Sequence, residues 1–165
     1  MDFAPTMIAE AIRRHPGIDF RVGDAEAIPL ADESVDAVIC SFGMLHMERP
    51  ERVQAEFARV LRPAIGRLAI TSWMSDGEFF AIVGPAVQAH ADASVSLTPA
   101  PPMFRFGDES ECRSALLAAR FAEPAFNKLP LVWTGDTPEA VLYTLHRGTN
   151  EQAIIGENDG LLDIR

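Results

Sequence analysis

Val35–Cys40, VDAVIC, is apolar at every position except Asp36. A strand with one covered face alternates apolar and polar residues, so a run this continuous predicts a parallel strand covered on both faces, at the centre of an α/β sheet. Ile18, Phe20 and Val22 alternate instead with Asp19 and Arg21, the period of two expected at a sheet edge. GRLAITSW, residues 66–73, predicts a further strand. Two helices accompany these strands. Met7, Ile8, Ala11 and Ile12 recur at helical spacing between Pro5 and Gly17, and Val53, Phe57, Val60 and Leu61 share one face of a helix opening near Pro50 and closing before Pro63. The order helix, strand, strand, helix, strand, with helices long enough for crossovers, predicts a mostly parallel α/β sheet with flanking helices.

The second half is less regular. Phe79–His90 predicts a helix despite Gly84-Pro85, and Ser94–Pro102 a loop or lid connector. Asp108 with Glu111 has the spacing of a capping box before a helix carrying Leu116 and Leu117. FNKLPLVW, residues 126–133, predicts a strand, and Thr137-Pro138 opens a helix toward Gly148. With 165 residues and no internal repeat, the expectation is one domain over 1–165, with 74–105 as a lid or substrate insertion.

Composition narrows the partners. Fourteen basic against twenty-four acidic residues give a net charge of -10, which repels a phosphate backbone and an anionic membrane surface, so neither nucleic acid nor membrane is expected. Cys40 and Cys112, the only cysteines, lack CxxC spacing and read as free buried thiols of a reducing compartment. The first residues lack the basic end and long apolar stretch of a signal peptide, so the expected location is cytoplasmic. The four histidines are scattered away from any ligand spacing, so no metal site is expected; GxSxG and GxGxxG are both absent, which disfavours a serine hydrolase and a nicotinamide dehydrogenase.

In an open parallel sheet, ligands sit beyond the carboxyl ends of the strands. Three stretches fall at such ends: Asp2 before the first helix, Gly23-Asp24-Ala25-Glu26 after the edge strand, and Ser41–His46 after the central strand. A carboxylate at the first suits a ribose diol, accepting from two neighbouring hydroxyls. A carboxylate at the second can accept from an exocyclic amine such as that of adenine, while the next backbone N–H donates to a ring nitrogen. Together they describe a nucleoside, against the plainer alternative of solvated loop carboxylates.

GDAEAIPLADESVDAVICSFGMLHM, followed by ARVLRP and GRLAITSW, closely resembles the class I S-adenosylmethionine-dependent methyltransferases, in particular the small-molecule branch that includes quinone-biosynthesis methyltransferases. The likeness is strong from Asp2 to Trp73 and fainter from Phe104 to Gly148; no single motif is specific, but their order and spacing together are. The resemblance implies a Rossmann-like fold, S-adenosylmethionine as cofactor and a small-molecule methyl acceptor. It assigns Asp2 and Phe3 to the ribose end, Asp24 and Ala25 to adenine, and Cys40, Ser41 and Phe42 to the methionine end. Two departures accompany it. The strand and glycine-rich loop with which the family begins are absent, so the resemblance implies a fold missing its first two strands, an amino-truncated domain, and a gap of roughly 14 Å between Ile18–Val22 and Val35–Cys40. Strand Ile18–Val22 then moves over to pair with the central strand, another chain fills the gap, or the chain is a piece of a longer protein. RPAIGR also replaces the usual RPGGR with one more residue, which reshapes the turn before Arg67.

Methyl transfer from a sulfonium is an in-line displacement that needs alignment and desolvation, and a base only where the acceptor must lose a proton. His46 is the candidate base, since it lies where an acceptor would approach, although it could equally bond to backbone while its neighbours pack under the next helix. Glu48, His90 and His146 are weaker candidates, and Phe79, Phe80, Met103 and Phe104 form either an apolar acceptor pocket or ordinary core. The expected function is methyl transfer to a small molecule, impaired to whatever extent the truncation removes cofactor contacts. The alternative is an inactive remnant serving as a binding module or homodimerising through exposed strand edges.

Overall fold

A computed structural model describes residues 1–90, 99–131, 137 and 139–140. Its elements run α1 (Pro5–Arg14), β1 (Ala37–Ser41), a 3-10 turn (Met44–His46), α2 (Pro50–Val60), β2 (Arg67–Thr71), α3 (Glu78–His90), a second 3-10 turn (Arg105–Gly107) and α4 (Glu109–Ala118). Contacts sort the chain into two units, Met1–Ser75 with Pro99–Phe126, and Asp76–Thr98 with Asn127–Arg165. Proline at the first turn opens both α1 and α2, as expected from its preset φ and missing N–H.

β1 and β2 pair in parallel, from Ala37 opposite Arg67 to Ser41 opposite Thr71. Parallel pairing requires a crossover, and α2 supplies it. One face of the pair packs against α2 and α4: Cys40 joins Val53, Phe57, Val60, Cys112 and Leu116 in the core, with Val38, Leu68 and Ile70 against it. Among the described residues nothing covers the other face. Ile39 is 77% exposed, which corrects the expectation of a strand covered on both faces. The physical reason is the layer count: among the described residues β1 pairs with β2 alone, and a single helical layer covers only alternate side chains.

Other expectations change as well. Ile18–Val22 forms no strand; Val22 makes one parallel bridge, to Asp2, in which Asp2 N–H donates to Arg21 O (3.2 Å) and Gly23 N–H to Asp2 O (2.9 Å). A partner one residue long cannot propagate a ladder, and pairing with Asp2 overturns the alternative in which this segment moves over to the central strand. Residues 126–131 likewise form no strand, and Leu129 and Leu131 stand exposed, because alternation without a pairing neighbour makes no sheet; Val132 and Trp133 lie outside the described residues. The Asp108 cap forms, its Oδ1 accepting from Ser110 N–H (2.9 Å) and Glu111 N–H (3.0 Å). The reciprocal half of the box does not, since Asp108 N–H donates to Phe104 O. Thr137 Oγ1 accepts from Ala140 N–H (3.1 Å), the cap of the helix predicted there; its remainder and residues 94–98 lie outside the described residues. Among the described residues no helix is long and apolar enough to cross a membrane.

Two features position the loops around the sheet. Arg59 on α2 donates to Glu56 (2.6 and 2.7 Å), Asp32 (2.7 Å) and the carbonyls of Ile28 and Leu30 (both 2.8 Å), while Glu56 Oε2 accepts Ile28 N–H (2.7 Å). This fork-shaped donor set ties residues 28–32 to α2, a geometry a lysine cannot reproduce. Hydrogen bonding to Arg59 holds the Glu56 carboxyl below its ordinary range, with the Ile28 N–H adding to the effect and burial opposing it. A folded-state pKa below the unfolded one contributes stability that is complete above about pH 4.5 and is lost as pH falls through the folded value. Urea midpoints measured from neutral pH down to about pH 3 should therefore fall less steeply on the acid side in Glu56→Gln than in the parent, from a lower neutral starting value.

The second feature is the reshaped turn before β2. Ala64 adopts φ 65°, Ile65 N–H donates to Pro63 O and Gly66 N–H to Arg62 O (both 2.8 Å). An L-residue with a Cβ is strained in that left-handed region by about 1–2 kcal/mol, and glycine is not, although glycine loses more freedom on folding. Ala64→Gly should raise the unfolding free energy by about 0.5–1 kcal/mol, read from urea denaturation at constant m-value.

Candidate functional site

The bridge between Asp2 and Val22 carries two of the anticipated carboxylates to one place. Asp2 is itself the bridged residue, and Asp24 follows the N–H that bonds to Asp2 O. Both are exposed, and each caps its own turn: Asp2 Oδ1 accepts Ala4 N–H and Asp24 Oδ1 accepts Glu26 N–H, both at 2.8 Å. Each carboxylate thus spends one oxygen on its loop and keeps acceptor capacity on the other. Ala25 N–H has no acceptor among the described residues, and its side chain packs against the core. Phe3, by contrast, is 76% exposed.

Glu26, left open between a solvated and a ligand-holding role, has neither. Its side chain is 10% exposed; Oε2 lies 2.6 Å from Arg49 Nη2 and Oε1 accepts Arg49 N–H (3.2 Å), which ties the GDAE turn to the entry of α2. Nothing local signals this tie, because its partners stand 23 residues apart.

At the carboxyl ends of β1 and β2 the chain is tightly organised. Cys40 is buried, its thiol pushed up by burial. Ser41 Oγ lies 3.2 Å from Thr71 Oγ1, and Phe42 N–H donates to Thr71 Oγ1 (3.1 Å) and Thr71 O (3.2 Å). Phe42 sits at φ 51°, a conformation bulky residues rarely adopt, and its ring stacks on Trp73 at 4.3 Å between centroids and 27° between planes. Ser72 Oγ, one residue on, is buried with no hydrogen-bond partner among the described residues, a polar atom that a bound group can satisfy. Thr71 and Trp73 were not anticipated from sequence; their signal is the register itself, which sets the last residue of GRLAIT beside Ser41.

His46 ends the 3-10 turn, exposed, with its N–H donating to Gly43 O (3.0 Å), while Met44 in the same turn is almost wholly buried. Burial of Met44 fixes the turn and leaves the imidazole on the solvent side. Phe79 and Phe80 pack edge to face with each other (5.1 Å, 82°) in the second unit, whereas Met103 and Phe104 belong to the first. His146 lies outside the described residues. A cavity of about 600 Å³ is lined by Glu48, Glu51, Glu111, Arg105 and the proline-rich segment at 99–102; none of the anticipated cofactor residues lines it. Among the described residues no group of three or more His, Cys, Asp or Glu side chains is placed to hold a metal ion.

A parallel strand pair joined by a helical crossover is the unit of which Rossmann-like sheets are built, and comparison with known proteins shows which such fold the chain resembles. A family model described as a methyltransferase domain matches residues 1–70. Residues 1–70 are thus similar to the S-adenosylmethionine-dependent methyltransferases, a class whose cofactor is S-adenosylmethionine. The chain is similar to the demethylmenaquinone methyltransferase of Renibacterium salmoninarum, 42% identical over 44% of this chain and 30% of that protein. It is also similar to the malonyl-[acyl-carrier protein] O-methyltransferase of Methylococcus capsulatus, 43% identical over 44% of this chain and 27% of that protein. A crystal structure from Thermotoga maritima described as a SAM-dependent methyltransferase, possible histamine N-methyltransferase, superposes with a TM-score of 0.51 and 25% identity, covering 68% of this chain and 50% of that one. The chain therefore matches less than a third of the length of these two curated relatives.

Gly107 has a specific part in the site. A Cβ built on it would stand 1.9 Å from the Trp73 carbonyl oxygen, a backbone atom that cannot swing aside. Gly107→Ala should destabilise the fold by about 2–3 kcal/mol and weaken the near-ultraviolet circular dichroism of the Phe42–Trp73 pair, both measurable on the free protein.

Proposed function

We propose that this chain takes part in S-adenosylmethionine-dependent methyl transfer to a small molecule, with a quinone-type ring as the acceptor class suggested by the demethylmenaquinone methyltransferases it resembles. The observation that carries the reading is the single parallel bridge that sets the Asp2 and Gly23-Asp24 backbones side by side. Asp2 holds the ribose hydroxyls, with Phe3 flanking them. Asp24 accepts from the adenine amine, and Ala25 N–H donates to the ring. Cys40, Ser41 and Phe42 line the methionine end.

When bound, the cofactor supplies a methyl group on a sulfonium whose charge dissipates as the methyl leaves, chemistry that rewards alignment and exclusion of water. The Phe42–Trp73 stack gives the tips of β1 and β2 an aromatic wall. His46 takes a proton from the acceptor where one must leave, and its exposed position suits an acceptor arriving from solvent. The segment at 74–105 acts as the acceptor-side insertion, a reading that rests on its lid-like sequence. The buried free thiols and the net charge of -10 favour a reducing, cytoplasmic setting without nucleic acid or membrane partners.

Calorimetric titration with S-adenosylhomocysteine tests the proposal. Micromolar binding is expected, weakened about tenfold or more by Asp2→Asn and again by Asp24→Asn, because each change replaces a charged acceptor with a neutral amide. Absence of heat from a folded parent chain would refute it.

A further inference from the structure

We propose that Thr71 is the positioning residue that holds the Ser41–Phe42 turn in its ligand-ready shape, and that it does so for the methionine half of the cofactor and not for the adenosine half. The inference rests on the reading above for the identity of the ligand, but its structural half stands on the geometry alone.

The Phe42 backbone is the reason a positioning residue is needed. A phenylalanine at φ 51° lies in the left-handed region that a side chain with a Cβ disfavours, so the conformation persists only where its surroundings over-determine it. Three contacts do so, and two come from one residue. Thr71 offers Oγ1 and its own carbonyl to the single Phe42 N–H (3.1 and 3.2 Å), which captures that N–H in the direction the left-handed turn gives it. The third contact is the Phe42 ring on Trp73, whose carbonyl Gly107 touches closely from the turn before α4.

Thr71 Oγ1 also lies 3.2 Å from Ser41 Oγ. With the hydroxyl hydrogen of Ser41 directed at Thr71, the Ser41 oxygen keeps its lone pairs for an ammonium or amide donor; with the direction reversed, Ser41 keeps its donor for a carboxylate. Either way the pair fixes where that oxygen sits. Register explains why this residue and no other does the work: Thr71 is the Cα partner of Ser41, so its hydroxyl meets both the side chain of the last β1 residue and the first N–H beyond it. Asp2 and Asp24 are held by their own turns and by the bridge at Val22, with no contribution from Thr71. The two halves of the ligand site are therefore supported independently, and a change at Thr71 divides them.

Thr71→Val keeps the β-branched shape that suits a strand and removes only the hydroxyl; Thr71→Ser restores it. In a Trp133→Phe background, which leaves Trp73 as the sole indole, the free Thr71→Val protein should lose most of the near-ultraviolet signal of the Phe42–Trp73 stack and show faster hydrogen exchange at the Phe42 amide, and Thr71→Ser should recover both. In calorimetric titration, Thr71→Val should weaken S-adenosylhomocysteine about tenfold while leaving 5′-methylthioadenosine, which lacks the amino-acid end, within about twofold of the parent. Equal weakening of both ligands, an unchanged spectrum and exchange rate in Thr71→Val, or failure of Thr71→Ser to recover either would overturn the inference. Should Thr71→Val not fold, Thr71→Ala and Ser41→Ala in the same assays decide it, the first expected to behave as Thr71→Val and the second to weaken S-adenosylhomocysteine while retaining the stack. Should the parent bind neither ligand, the functional reading fails, and the spectrum with the Phe42 exchange rate still decides the structural half.

Discussion

The parallel pairing of β1 with β2 is the constraint from which the rest follows. Its register places Ser41 beside Thr71, and only that register brings the Thr71 hydroxyl to the Phe42 N–H and the Phe42 ring to Trp73. A slip of β1 by one residue against β2 would turn Val38 and Cys40 away from the core and set the exposed residues Ala37, Ile39 and Ser41 against α2 and α4. The buried face thus pins the register, and the register builds the strand tips. Core packing and site geometry are in this sense one feature.

Charge does for the loops what burial does for the strands. Arg59 draws five hydrogen bonds together across residues 28–32 and Glu56, and Glu26 closes on Arg49 at the start of α2. The GDAE turn consequently divides its two acids by environment. Glu26, nearly buried and ion-paired, holds the loop in place, while Asp24 is exposed and engaged by one oxygen only. Two acids of like chemistry in one turn have different surroundings because one of them meets Arg49, the residue that opens α2.

Helices and their caps were the most legible part of the sequence. Pro5, Pro50 and Asp108 mark starts through local effects, a preset φ or a side-chain acceptor, which need no tertiary partner. Strands were less so. Ile18–Val22 and residues 126–131 alternate as strands should, yet the first makes one bridge and the second none, because a strand exists only with a neighbour to pair with. The continuous apolar run at Val35–Cys40 announced a parallel strand and one was found, but its second covered face was not, since residue type reports a preference for burial and the elements around it decide whether burial occurs.

By itself the sequence determined the likeness: acids after strand-like segments, an order of motifs similar to that of methyltransferase domains over residues 1–70, and a net charge of -10. Those properties are local or additive, so reading along the chain suffices. Tertiary structure alone decided which groups cooperate, namely Asp2 beside Gly23 through a bridge, Thr71 under Phe42 through register, Trp73 against Gly107 through a contact too close for any side chain, and Arg49 on Glu26 across 23 residues. Each depends on where two remote segments stop relative to one another, and that is set by packing the whole core.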